Sequence, residues 1–119
     1  MAEYASTNIT IDIKKSRIRI FKTTIHAIGD PRKIQLLVNP HTKSVAIKAV
    51  DRELSGDQAH TLHPDIRDGY EIYSRAFVNK LCEVAGGLDK NYSYRMKGQI
   101  IPSEKLVVFS MSTIARNEP

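Results

Sequence analysis

The sequence predicts an α+β fold made of two small strand-helix-strand-strand units that share one core. Three observations lead there. Short segments alternate apolar and polar residues with a period of two, the pattern of half-buried strands. Two other segments, 22–28 and 75–85, space their apolar residues three and four apart, as helices do. These elements recur in the same order in both halves, which suggests a pseudo-repeat over residues 9–50 and 70–111. A chain of 119 residues has the length of one compact domain, and neither unit alone can bury both faces of its strands.

The first strand covers residues 9–13, where Ile9, Ile11 and Ile13 alternate with Thr10 and Asp12. Lys15 and Ser16 form a tight turn, and a second strand over residues 17–21 sends Ile18 and Ile20 one way and Arg17 and Arg19 the other. A short helix follows over residues 22–28, capped by Thr23 or Thr24, ended by Gly29 and barred from continuing by Pro31. Residues 34–38 and 45–49 read as a hairpin about a turn containing Asn39 and Pro40. Residues 51–69 are acidic, poor in apolar residues and broken by Gly56, Pro64 and Gly69, and read as a surface linker.

In the second half, residues 71–73 form a strand and Ser74 caps a helix over residues 75–85. Its stripe of Phe77, Val78, Leu81, Cys82 and Ala85 faces the core, and Gly86 and Gly87 stop it. Two more strands, 92–97 and 106–111, are joined by a loop holding Gly98, Pro102 and Ser103, and residues 112–119 are expected to fray.

Charge is distributed unevenly. The net charge is +5, yet residues 1–50 carry nine basic side chains against three acidic ones, while residues 51–69 carry two against five. Seven of those nine cations lie between residues 14 and 33, and an anionic partner, duplex DNA first, would meet them there. With no apolar run of membrane-spanning length and no basic leader followed by an apolar stretch, a cytoplasmic protein without a membrane partner is expected. The single cysteine, Cys82, excludes an internal disulfide or a multi-cysteine zinc site.

The run Ser16-Arg17-Ile18-Arg19-Ile20-Phe21, the helix at 22–28 closed by Gly29, and the hairpin at 34–49 together resemble the swapped-hairpin DNA-binding domains of the SpoVT/AbrB and MraZ families. Phe21 stands where those families carry proline and Ser16 where they carry the turn glycine, and Arg17 keeps the position of a family basic contact. The resemblance implies a homodimeric DNA-binding transcriptional regulator, with MraZ-like proteins supplying the precedent for two copies. The chain also looks like small proteins of phages and mobile elements, which implies a regulatory or anti-defence role.

The candidate DNA-binding residues are Lys14, Lys15, Arg17, Arg19, Lys22, Arg32 and Lys33, mostly on phosphates, with Arg17 or Arg19 reaching base edges. Tyr73, Tyr92, Tyr94 and Arg95 form a candidate ligand-stacking group, since aromatic faces beside guanidinium groups suit bases. His60 and His63 with Asp65 and Asp68 have a spacing usable by a metal, but a solvated acidic loop explains them more simply, so no metal and no cofactor are expected. Cys82 fits core packing better than nucleophilic chemistry. No Ser/His/Asp, Cys/His or paired-carboxylate arrangement is apparent, so the chain is read as a non-enzyme. The alternative to DNA binding is an accessory protein that binds a host defence protein or sequesters a small nucleotide.

Overall fold

The computed structural model describes residues 6–50, 59–65 and 69–117. Ten strands and two helices follow one another: β1 (Ser6–Asp12), β2 (Arg17–Phe21), α1 (Lys22–Ala27), β3 (Lys33–Asn39), β4 (Ser44–Ala49), β5 (Ala59–Thr61), β6 (His63–Asp65), β7 (Gly69–Tyr73), α2 (Arg75–Ala85), β8 (Ser93–Ile101), β9 (Leu106–Ser110) and β10 (Ala115–Arg116). All pairings are antiparallel, and nine strands form one sheet in the order β5-β3-β4-β9-β8-β1-β2-β7-β6, with β10 added on β8.

The two edge strands of that order, β5 and β6, are separated in sequence by Leu62 alone. The chain therefore bends at one buried residue from one edge of the sheet to the other, pairing with β3 before it and β7 after it. This nearly closes the sheet into a barrel and leaves few unpaired edge groups. Pro64 takes its place in the short β6, where a missing donor is tolerated.

The expected α+β arrangement of two strand-helix-strand-strand units is thereby corrected. Strands make up 51% of the structure, and the halves interleave: β1 pairs with β8, β4 with β9 and β2 with β7. The reason is geometric. A six-residue helix is only about 9 Å long, too short to cover a sheet face, so the inward faces of strands from both halves cover each other as the sheet curls. The helices fill the ends instead. Helix α1 follows the last residue of β2, whereas α2 follows Tyr73, which pairs with the first residue of β2, Arg17. They thus sit at opposite ends of the β2–β7 pair.

The core is rich in isoleucine: Ile9, Ile11, Ile18, Ile20, Ile34, Ile47 and Ile72 are fully or almost fully buried, with Phe109, Met96 and Leu81. β-branched chains with few rotamers suit a pleated inner face. Helix α1 contributes Ile25 and the buried Thr24, whose hydroxyl is bonded to that of Thr7 at 2.6 Å. Helix α2 contributes Phe77, Val78 and Leu81, and its cap is Ser74, whose Oγ accepts the Phe77 N–H at 3.2 Å.

Three local readings also change. Within the span read as a linker, residues 59–61 and 63–65 are strands, because the barrel needs a strand between β3 and β7; residues 51–58 and 66–68 lie outside the described residues. Strand β8 runs through Gly98 to Ile101 instead of ending there. A Cβ on Gly98 would lie 2.5 Å from both Phe109 Cδ1 and the Val108 carbonyl, so the glycine admits the Phe109 ring. Met111, expected to end the strand at 106–111, instead opens a 3-10 turn through Thr113, and in the tail expected to fray β10 pairs with β8.

Candidate functional site

The outer face of β7-β2-β1-β8 gathers most of the chemistry singled out in the sequence. Strand alternation points Ile18 and Ile20 inward, so Arg17 and Arg19 face outward. Register then sets their neighbours. Arg17 lies between Asp12 on β1 and Tyr73 on β7; Arg19 lies between Thr10 and Glu71. Across β1, Thr10 pairs with Arg95 and Asn8 with Lys97, both on β8. Arg19 and Arg95 are thus two strand spacings apart, about 10 Å.

The two arginines of β2 are matched by carboxylates. Arg17 is 3.5 Å from Asp12 Oδ2 and 3.7 Å from Glu71 Oε1, Arg19 is 3.3 Å from the same Glu71 oxygen, and the Tyr73 hydroxyl donates to Glu71 Oε2 at 3.0 Å. All four charged side chains of this network are only about a quarter exposed or less. Two positive charges meet two negative ones, so the net contribution to an outer field is small at long range. The surplus charge belongs to Arg95 and Lys97 and to Lys14 and Lys15 in the β1–β2 turn. These four are exposed and, among the described residues, have no carboxylate within ion-pair distance.

The other cations of the proposed footprint are elsewhere. Lys22 opens α1, at the far end of β2 from the turn bearing Lys14 and Lys15, about 17 Å of strand away. Arg32 and Lys33 lead into β3, which is four places from β1 in the sheet. The stacking group separates as well. Tyr73 and Tyr92 are exposed, and the Arg116 guanidinium lies 3.9 Å from the centre of the Tyr92 ring, a cation–π contact. Arg95 faces outward, but Tyr94 is buried and its hydroxyl accepts the Asp89 N–H at 2.8 Å, an architectural bond.

Lys97 is the member of this face that is not among the candidate binding residues of the sequence. The alternation of Tyr94 and Met96 with Arg95 and Lys97 marked it as outward, but the β1–β8 pairing that sets it beside Asn8 joins residues about ninety positions apart.

His60 is in β5 and partly buried, and desolvation lowers its pKa, which favours the neutral imidazole. His63 is exposed on β6. Among the described residues no three His, Cys, Asp or Glu side chains converge on a possible metal position; Asp68 lies outside them. Cys82 is half-buried, and burial raises its thiol pKa against a smaller opposing pull from Lys90, which disfavours the reactive thiolate. No described helix is long and apolar enough to cross a membrane.

No protein-family model matches this chain, and neither the characterised proteins nor the solved structures contain a match to it.

Proposed function

We propose that this chain is a small cytoplasmic DNA-binding regulator, acting as a homodimer, that rests duplex DNA on the outer face of β7-β2-β1-β8. What supports the reading is one observation: four cations, Arg17, Arg19, Arg95 and Lys97, share that face, with Lys14 and Lys15 at its rim. Arg95, Lys97, Lys14 and Lys15 contact phosphates first, because among the described residues they have no carboxylates to leave. Arg17 and Arg19 trade Asp12 and Glu71 for phosphate only on close approach, so they contribute less to affinity than their charge suggests.

The test is fluorescence anisotropy on a labelled random-sequence duplex at about 50 and about 200 mM salt. Four phosphate contacts predict a loss of affinity of roughly a hundredfold between the two. The Arg95→Glu/Lys14→Glu double variant should bind at least about tenfold more weakly at the lower salt while remaining folded. Absence of binding at about 50 mM salt, or wild-type affinity in the folded double variant, removes the assignment.

A second reading, a phage or mobile-element accessory protein that engages a host protein or sequesters a nucleotide, is favoured by the exposed Tyr73 on β7 and the exposed Tyr92 just before β8. Mass spectrometry of ligand released from the purified protein separates the two: stoichiometric nucleotide favours the second.

A further inference from the structure

Beside the basic face the sheet opens into a groove of about 570 Å³ over β1, β8, β9 and β4. Its origin is a local divergence of strands. Strand β8 pairs with β9 from Ile101 back to Gly98, and there the pairing stops. The next amide, that of Lys97, donates instead to Thr113 Oγ1 at 2.8 Å, because after Ser110 the chain turns away through Met111–Thr113. The Thr113 hydroxyl in turn donates to the Ser110 carbonyl at 2.6 Å, which holds the turn against the strand end.

The lining determines what such a groove can take. Asn8, Ser44, Lys97, Gln99, Ser110 and Thr113 surround it, and none of its lining residues is Asp or Glu. The hydroxyl of Ser44 is paired with that of Thr42 at 2.6 Å, and that of Ser110 with that of Ser112 at 2.7 Å. Two hydroxyls that share one hydrogen bond retain a second hydrogen, so each pair can still donate outward. Lys97 adds an ammonium group without a carboxylate partner among the described residues, while Asn8 and Gln99 offer both amide donors and carbonyl acceptors. Val108 supplies an apolar wall. Donors and one positive charge suit anionic oxygens; amide acceptors and the apolar part of the lining suit the hydroxyls and C–H face of a sugar.

We propose that this groove binds a small phosphorylated sugar, such as the ribose phosphate portion of a nucleotide, with the phosphate at Lys97 and the sugar hydroxyls on Asn8, Gln99 and the serine pairs. The proposal shares Lys97 with the DNA-binding reading but does not depend on it.

The experiment is an amide NMR titration of the full chain with ribose 5-phosphate, with ribose and inorganic phosphate as separate probes, and with an unlabelled duplex as a further arm. Ribose 5-phosphate should give saturable shifts confined to the amides around residues 44, 97–99, 110 and 113. Lys97→Met, an exposed substitution whose own spectrum reports folding, should weaken that binding at least about tenfold, the scale of losing a charge-assisted hydrogen bond. Ribose alone and phosphate alone should each bind at least about tenfold more weakly. A Lys14→Glu/Lys15→Glu variant, changed in the β1–β2 turn at the far end of β1 from the groove, should weaken duplex binding yet bind ribose 5-phosphate as the unmodified chain does, so loss of DNA binding and loss of this site are read separately. The proposal is overturned by the absence of saturable shifts, by unchanged affinity in Lys97→Met, by equal affinity for inorganic phosphate, or by a groove that responds to the duplex alone.

Discussion

Ser16 adopts φ +52° in the turn between β1 and β2, the left-handed region that costs a side-chain-bearing residue about 1 kcal/mol relative to glycine. Its role there is carried by the backbone: its N–H donates to the Ile13 carbonyl and its own carbonyl accepts the Ser74 N–H. Glycine keeps both bonds. Ser16→Gly is therefore expected to stabilise the protein by about 0.5–1 kcal/mol, the relief of strain being partly offset by the freer unfolded chain. Thermal unfolding should move up by a few degrees, and a lower midpoint would show that the hydroxyl has a role. At this same scale the outward direction of Arg17, Arg19, Arg95 and Lys97 follows from alternation with buried neighbours. Their different electrostatic situations do not, because Glu71, the common partner of Arg17 and Arg19, is more than fifty residues away in the chain.

Among the elements, α2 shows most directly how sequence becomes structure. Ser74 caps it, Phe77, Val78 and Leu81 bury one stripe, and Gly86 at φ +72° ends it, so it spans the residues that the pattern marks, Arg75–Ala85. Ser74→Ala removes the acceptor for the Phe77 N–H and should cost about 1 kcal/mol in denaturant unfolding. An unchanged midpoint would mean that solvent satisfies that amide equally well. Strand β8 illustrates the opposite case. Gly98 looks like a break in isolation, yet it sits inside nine residues of strand because Phe109 of the neighbouring β9 needs the space above it. Likewise β5 and β6 have little pattern of their own, and the vacant positions beside β3 and β7 organise them.

At the scale of the whole molecule, the interleaving of β1 with β8, β4 with β9 and β2 with β7 makes the halves interdependent. A peptide of residues 1–50 loses a neighbouring strand from each of these three strands and exposes the isoleucines of β1 and β2, so it should remain unfolded by circular dichroism and amide NMR dispersion. A cooperatively folded fragment would contradict this interdependence of the halves. The full chain should unfold in one transition. Local chemistry in the sequence alone determined where the two helices lie, the cap of α2, the inward and outward faces of most strands, the turns and the excess of cations in the first half, since each depends on periodicity, capping or composition within a few residues. The expected Thr23 or Thr24 cap of α1 is not formed, because α1 starts after Phe21 with no side-chain cap and Thr24 is buried against Thr7. Only the tertiary structure decided that one curled sheet replaces two units and that Leu62 carries the chain between its edges. It also decided that Arg17 and Arg19 are matched by Asp12 and Glu71, and that Lys97 borders both the basic face and the groove beside it. Those outcomes depend on pairing between distant strands, which is selected by mutual burial of their inner faces and leaves no trace in the periodicity of either strand.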